Sequence, residues 1–546
     1  MDTDHTEPIR KHLGCDEDKV KAAAKKGRRR EENGELTGQL KKLKADIVSK
    51  SHAQSRLDEL IFNFVVEDCQ SFHVLEQPGF RKLLAGLAEG QLIMDRLTLL
   101  TKVDLGYISM RAELTAKLDS VQHVCTTADI WTANGRSYFG MTCHWIDAAT
   151  LQRKSAALGF ARLQGPHTCD AISGRIQDIH AAYNIQTKVQ TTNVGDILDG
   201  REDHAGPGVQ RCASHTLDLI VAEELWQAVS QGPLCQLHYS TMAKVSAFWS
   251  KCHQLQVASD RAEEVARMPL VVLRAGRWNA EYCMVQKVVS LTARERAVLS
   301  ERLGVPALQA EEMAFLQEYV LVFKPLAFAL ELFQAEQKCY LGLVIPTVLS
   351  LKNKLKEQRA SARYFADAID AVVAAVDARF RDVFASTEAK IATATTPQFR
   401  LWWLSPPERE EMRGLLVAAQ PEPGFPAVVE EEQEAAAAAS AESEDDFFSY
   451  GPVKLAGPPE QLGVAEEIHK YLDGTGKSLE CLRDFPRVRQ LFVKYNTVLP
   501  SGAPVQRLFS HKANMASLQR STSLNDDFFE RINLLRYNST VCSVRI

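Results

Sequence analysis

The hydrophobic pattern changes its period near residue 120 and again near residue 210, and this change constrains the fold most strongly. Between these positions the runs VCTTADIWT, SYFGMTCHWID and LQRKSAALGFARL are rich in β-branched and aromatic residues and are separated by short polar turns. A helical pattern, CDAISGRIQDIHAAYNI, and one more strand pattern, KVQTTN, follow them. Three strands, a helix and a fourth strand predict an α/β sheet over residues 120–205.

Apolar residues recur three and four positions apart on both sides of this sheet. They predict a helical N-terminal region over residues 57–118, whose second helix begins at Phe80. They also predict a large helical insertion over residues 210–420. Its most apolar run, MAFLQEYVLVFKPLAFALELF, contains too many polar residues for a membrane span and predicts a buried helix pair broken at Pro325.

The end of the chain changes character twice. Residues 421–452 are rich in Glu and Ala, and such a composition predicts an acidic, disordered segment. The helical pattern returns over residues 460–546. The predicted fold class is therefore α/β plus all-α, with a sheet domain interrupted by helices and completed by the C-terminal region.

Composition limits the classes of function. The formal net charge of the 546 residues is −5, so attraction to nucleic acid would have to be local. The 12 cysteines form no CxxC pair and no apolar signal segment opens the chain, which predicts reduced thiols and an intracellular protein without membrane contact. Local positive charge lies in the polar tail of residues 1–50, at Lys25, Lys26, Arg28, Arg29 and Arg30. This block fits either a nuclear signal or DNA-contacting arm, or a solvated tail whose charge nearby glutamates offset.

Six separated motifs resemble the hAT superfamily of transposases, particularly its zinc-finger BED branch. In order they are LIFNFVVEDCQSFHVLEQPGFRKLL, TTADIWT with YFGMTCHWID, PHTCDAI, RCASHTLDLIV, RWNAEYCM, and LPSGAPVQRLFS with RSTSLNDDFFERINLLRYN. The resemblance implies a ribonuclease H-like domain interrupted by a helical insertion and followed by a dimerisation region. The CxxC pair of a BED finger is absent from this sequence, which places finger-based DNA recognition in doubt.

In that family three acids hold two divalent metal ions for DNA cleavage, and negatively charged oxygens are needed to bind such ions. The resemblance assigns the first acid to Asp129, whose alternative role is bonding a turn at a strand end. The second position is occupied by Asn193, because Asp196 and Asp199 would require a shift along the chain. The third is occupied by Gln506. Two of three acids are thus amides, which predicts a vestigial site with no intact catalytic residue, no metal and no cofactor.

The resemblance also implies that Cys212, His215 and Trp278 contact DNA, with Trp278 stacking on a base. The alternatives are helix packing for the Cys–His pair and a core position for Trp278. Zinc at Cys212 and His215 would need two further ligands, and no second pair has matching spacing.

The predicted self-association surface comprises five apolar C-terminal residues, which could equally close the core of the sheet domain: Phe528, Phe529, Ile532, Leu534 and Leu535. The sequence thus predicts an inactive, transposase-derived nuclear protein that binds DNA or chromatin and itself, and possible nuclear protein partners. Two alternatives stay open, a protein-interaction scaffold without DNA binding and an active metal-dependent transposase.

Overall fold

The computed structural model describes residues 52–88, 91–133, 135–165, 168–194, 209–210, 212–231, 234–254, 278–420, 463–510 and 526–542. The chain divides into two compact units, of which unit 1 comprises Met1–Cys212 and Thr497–Ile546 and unit 2 comprises Ala213–Asn496. The basic residues of the N-terminal tail, Asp196, Asp199 and the acidic segment 421–452 lie outside the described residues.

The described part of unit 1 begins with the α-helices α1 (His52–Glu67), α2 (Pro78–Leu87) and α3 (Arg96–Asp119). The second helix starts at Pro78 rather than at Phe80, with Gln77 as its N-cap. Proline suits this first position, because its fixed φ is helical and its missing N–H has no partner there in any helix. Pro78 and Gly79 therefore belong to the first turn of the helix.

The sheet follows, with strands β1 (Val124–Ala133), β2 (Arg136–Ile146), β3 (Arg153–Leu163), β4 (Val189–Val194) and β5 (Val209–Gln210), and with helix α4 (Cys169–Ala182) between β3 and β4. The strand order is β3-β2-β1-β4-β5. The first three strands are antiparallel, whereas β4 and β5 run parallel to β1. The mixed α/β class predicted from the sequence is confirmed, and β5, which is only two residues long, was not predicted.

Unit 2 is helical in its described residues. Its α-helices are α5 (Ala213–Leu219), α6 (Trp226–Gln231), α7 (Cys235–Gln254), α8 (Trp278–Ser290), α9 (Ala293–Leu303), α10 (Ala310–Gln334), α11 (Val344–Arg359), α12 (Ala366–Arg379), α13 (Arg381–Ala385), α14 (Thr387–Thr395), α15 (Pro406–Ala418), α16 (Val464–Asp473) and α17 (Pro486–Asn496). A π-helical turn, Ile220–Leu225, joins α5 to α6.

The predicted break at Pro325 is wrong, because α10 continues through this residue. A proline inside a helix leaves the carbonyl four residues earlier without its usual donor. Here that carbonyl, Leu321 O, accepts a hydrogen bond of 2.8 Å from Gln358 Nε2 on α11. By length and composition α10 could cross a membrane, contrary to the sequence interpretation, but half of its most apolar window is buried inside the protein.

The chain returns to unit 1 with helices α18 (Ala503–Ser510) and α19 (Asp526–Asn538). The α18 helix lies against the sheet at Gly140, where an added Cβ would come within 2.5 Å of the Phe509 ring. The α19 helix is held to β3 by Asn538, whose side chain accepts from Ala157 N at 2.8 Å and donates to Ala157 O at 2.9 Å.

The five C-terminal residues predicted to mediate self-association lie inside unit 1. Phe528, Phe529, Ile532, Leu534 and Leu535 are at most 5% exposed and belong to its hydrophobic core. Phe528 contacts the ring of Phe72, and Phe529 contacts those of Tyr138 and Phe160. This placement corresponds to the second interpretation of these residues, the closing core of the sheet domain.

Candidate functional site

Asp129 and Asn193 lie on the same face of the sheet, on the adjacent parallel strands β1 and β4. Thr127 pairs with Asn193, and residues two apart on a strand point to the same side, so Asp129 shares the face of Asn193. Both side chains are buried, with Asp129 6% exposed and Asn193 fully enclosed. The Asp129 carboxylate accepts a 2.8 Å hydrogen bond from the backbone N–H of Ile130.

Gln506 lies on α18, which packs against this face through Val505 and Phe509. The α18 helix contacts the sheet at Gly140, and Gly140 is the residue of β2 that pairs with Asp129 of β1. Val505, Leu508 and Phe509 fix the helix by burying their side chains, whereas Gln506 is only half-buried. Sequence positions more than 300 residues apart are thus brought to one face.

The Asn193 amide is bonded to the segment that leads into α18. Its Nδ2 donates to the carbonyl oxygen of Leu499 at 3.3 Å. Its Oδ1 is buried without a hydrogen-bond partner, and an added Cβ on Gly502 would lie 3.9 Å from this oxygen and 3.9 Å from Cys212 Sγ. An amide can donate to a carbonyl, whereas an ionised carboxylate can only accept.

Two buried side chains that sequence reasoning missed hold the same segment. Leu499 N donates to Cys125 Sγ at 3.3 Å, and Arg153 Nη1 donates to Thr497 O at 2.8 Å. Burial raises the pKa of the Cys125 thiol to about 11, although the Leu499 N–H and the Arg153 cation oppose the shift. The thiol therefore stays protonated and neutral at physiological pH. In the sequence, the only indication was an Arg near the start of a strand pattern, and a sequence pattern does not reveal which carbonyl that Arg contacts.

A network of polar side chains occupies the same face next to Asp129. Thr127 Oγ1 lies 2.6 Å from Thr142 Oγ1, which lies 2.9 Å from His144 Nε2. On the opposite face, His180 Nε2 lies 3.2 Å from Thr126 Oγ1, and burial lowers the pKa of His180 to about 4. The His180 ring is therefore uncharged near neutral pH.

The residues predicted to contact DNA are packed in different ways. Cys212, in unit 1, is buried and accepts a 3.2 Å hydrogen bond from Gly502 N. His215, in unit 2, is half-buried on α5. Trp278, also in unit 2, is 8% exposed, donates from its indole nitrogen to Asp218 Oδ1 at 2.7 Å and contacts the Phe323 ring. This environment favours the core interpretation of Trp278, and its stacking on DNA stays a prediction.

The three positions assigned to metal binding supply one carboxylate and two amides. Over the described ranges, no group of three or more His, Cys, Asp or Glu residues is arranged to hold a metal ion. The Asn193 amide also turns its N–H group toward a carbonyl oxygen rather than offering an oxygen there. This donor set does not fit a pair of divalent cations, which need several anionic oxygen ligands.

Residues 127–201 match the family model described as the ZBED1 RNase-like domain. The matched segment contains Asp129 and Asn193, and Gln506 lies beyond it. No curated protein matches the chain. The match supports a chain related to zinc-finger BED and hAT proteins, with an RNase-like domain around the sheet of unit 1.

Proposed function

We propose that the chain is a domesticated hAT transposase that no longer cleaves DNA and acts in the nucleus. In this proposal it binds DNA or chromatin, self-associates and takes part in transcriptional regulation. The observation that carries the proposal is that amides occupy positions 193 and 506, with Asn193 on the face that bears Asp129 and Gln506 on the helix packed against that face. The sheet of unit 1 would be the ribonuclease H-like domain, and unit 2 the helical insertion.

Loss of cleavage follows from the charge at this face. Asp129 is the one carboxylate of the trio, and a single carboxylate cannot place two divalent ions for attack and departure. The Asn193–Leu499 hydrogen bond supports the same conclusion, because the surroundings of position 193 suit an amide. A carboxylate at that place would face the carbonyl oxygen of Leu499 with no proton to offer.

DNA binding would reside mainly in the basic block of the N-terminal tail. Lys25, Lys26, Arg28, Arg29 and Arg30 form a local positive charge in a chain whose net charge is −5. Phosphate contacts by such residues release counterions and make affinity strongly dependent on salt. The same block would serve as the nuclear-import signal.

The alternative of a protein-interaction scaffold predicts a folded protein without affinity for DNA, and it draws support from the acidic balance of the chain. The alternative of an active transposase would require substitute acids near Asp129. It predicts metal-dependent nicking by the natural sequence.

The test measures binding of the full-length protein to random duplex DNA over a salt series, with and without Mn²⁺. Binding without nicking is the expected result. Replacing the five basic residues of the tail with Gln should reduce the slope of log affinity against log salt by up to about 4.5, since each phosphate contact contributes about 0.9. A matched control replaces five exposed bases of unit 2 and should leave the slope unchanged.

Any other result would favour one of the alternative functions or another DNA-binding surface. Nicking by the natural sequence would overturn the loss of cleavage and restore the active enzyme. Absence of binding at every salt concentration would leave the scaffold. Unchanged salt dependence in the tail variant would move DNA binding to another surface.

A further inference from the structure

The N-terminal helices expose an unusual number of leucines. Of the eight large hydrophobic residues that are exposed in the described ranges, five lie between residues 60 and 97. They are 57–81% exposed and comprise Leu60, Leu83, Leu87, Leu92 and Leu97. Single exposed leucines are common, whereas several exposed leucines on neighbouring helices are typical of a contact surface.

Helix α2 is the centre of this region, and it has no buried residue. It attaches to α1 through Phe80, whose ring stacks on that of Phe64 with centroids 5.3 Å apart. Residues three and four apart on a helix are neighbours, so Leu83, Gly86 and Leu87 share one flank of α2. We call this flank the leucine face.

The backbone around the leucine face is fixed. Gln54 on α1 makes two hydrogen bonds to the backbone of Leu92, accepting from its N–H at 2.9 Å and donating to its carbonyl at 2.7 Å. On α3, Asp95 caps the first turn by accepting from Thr98 N at 2.7 Å. The leucines are thus presented by ordered helices, as a docking surface requires.

We propose that the leucine face pairs with the same face of a second copy, with the two α2 helices antiparallel about a two-fold axis between Leu84 and Ala85. This register sets Leu83 of each copy against Gly86 of the other. Gly86 has nothing within 4 Å of an added Cβ, so its side of the helix leaves room for the partner's leucine. A two-fold contact of this kind is closed and self-complementary.

Charge favours the same orientation. The last turn of α2 contains no basic residue, so the negative end of its dipole is not compensated within the helix. The antiparallel register places the exposed Lys82 of each copy beside that end of the other. A parallel arrangement would set like ends of the two dipoles together.

This inference rests on the self-association included in the proposed function and gives it a location. The five C-terminal residues first assigned to that role are buried in the core, whereas the leucines of the leucine face are exposed. The contact is small, and we expect a dissociation constant on the order of micromolar, at the weak end of specific interfaces.

The test is sedimentation equilibrium of the full chain over a hundredfold range of concentration. Leu83→Glu should weaken dimerisation about tenfold or more, because each dimer loses two leucines close to the two-fold axis and gains two like charges there. The matched control is Leu321→Glu on α10 in unit 2, a leucine 57% exposed like Leu83, and it should dimerise normally.

A second variant tests the same interface with a substitution that is not expected to disturb folding. Gly86→Leu improves helix propensity, and its Cβ meets no atom of the monomer within 4 Å, so the variant should fold as well as the natural protein. It fills the space that Leu83 of the partner would occupy, and we expect it to weaken dimerisation at least tenfold.

The possible outcomes distinguish a failure of the leucine face as the interface from a failure of self-association itself. If the natural protein dimerises and both variants dimerise equally well, the leucine face is not the interface, although self-association stands. If the natural protein is monomeric throughout, self-association itself is refuted, while DNA binding is decided independently by the salt series.

Discussion

Replacing Asn193 with Asp should destabilise unit 1 in a manner that depends on pH. The side chain is fully enclosed, and its amide N–H is bonded to Leu499 O at 3.3 Å. An ionised Asp would direct a charged oxygen at that carbonyl, and the other side-chain oxygen would lie near Gly502, which carries no charge. The folded protein should therefore hold the new carboxyl in its protonated form, with a pKa above the ordinary value.

The magnitude follows from the pKa difference. If the folded protein keeps the introduced carboxyl protonated at pH 7, the cost is at most about 4 kcal/mol, from an unfolded pKa near 3.9 and about 1.36 kcal/mol per unit. Because the folded pKa is raised, stability is greatest below the unfolded pKa and is lost as pH rises. Between pH 5 and pH 7 the variant should lose up to about 2.7 kcal/mol relative to the natural protein.

The assay is native-state hydrogen exchange of amides in β1 and β4, which reports opening of unit 1 separately from unit 2. Gln506→Glu is the matched control, because position 506 is half-buried and the new charge can remain hydrated. Its effect should stay within about 0.5 kcal/mol. An Asn193→Asp protein as stable as the natural one at pH 7, with the same pH dependence as the natural protein between pH 5 and 7, would refute the reasoning.

Three further predictions concern ionisable side chains elsewhere in the chain. Glu318 accepts hydrogen bonds of 2.8–3.0 Å from three consecutive backbone N–H groups that precede α12, so Glu318→Ala should cost about 3 kcal/mol in urea unfolding, while the exposed Glu311→Ala should cost little. The buried pair of Lys102 and Asp58 has an N–O distance of 3.8 Å; Lys102→Met should cost about 3–5 kcal/mol, and adding Asp58→Leu should recover most of that loss in a double-mutant cycle. Burial lowers the pKa of His180 to about 4, so the unfolded chain binds a proton before the folded protein does as pH falls. Stability should therefore drop by about 2 kcal/mol between pH 7 and pH 5. His180→Gln should remove that pH dependence in the same exchange measurement. An equal pH dependence in the natural protein and the variant would contradict the His180 assignment.

The periodic parts of the fold were predictable from local sequence, and the exceptions have identifiable causes. The four longer strands and α4 follow from alternation and helical spacing over adjacent residues. Pro325 misled the prediction because a local rule breaks the helix there, whereas Gln358 supplies the missing bond from a neighbouring helix. Strand β5 escaped detection because two residues carry no period.

At the candidate site, the sequence predicted which residues matter but not which residues they contact. Resemblance identified Asp129, Asn193 and Gln506, and the sheet register places the first two on one face. The hydrogen bond from Asn193 to Leu499 joins residues 306 positions apart, and no local pattern encodes it. The C-terminal apolar residues were ambiguous for a related reason, since an apolar helix face has the same sequence whether it meets its own core or a second copy.

The two amide positions differ in how far the fold depends on them, and this difference governs how a restored protein should be interpreted. Gln506 is half-buried, so a Glu there can regain its charge without a large change in stability. Asn193 is enclosed and donates to a backbone carbonyl, so an Asp there would be neutral at pH 7 unless a cation offsets its charge. If a variant that combines Asn193→Asp with Gln506→Glu does not nick DNA at neutral pH, the result is ambiguous, because protonation of the carboxyl introduced at position 193 is by itself enough to prevent metal binding. Stabilisation of that variant by Mn²⁺, measured by exchange in β4, resolves the ambiguity: binding at 100 times the dissociation constant should add about 2.7 kcal/mol. The same ion should leave the natural protein unchanged, because its amides offer no charge for the metal to bind.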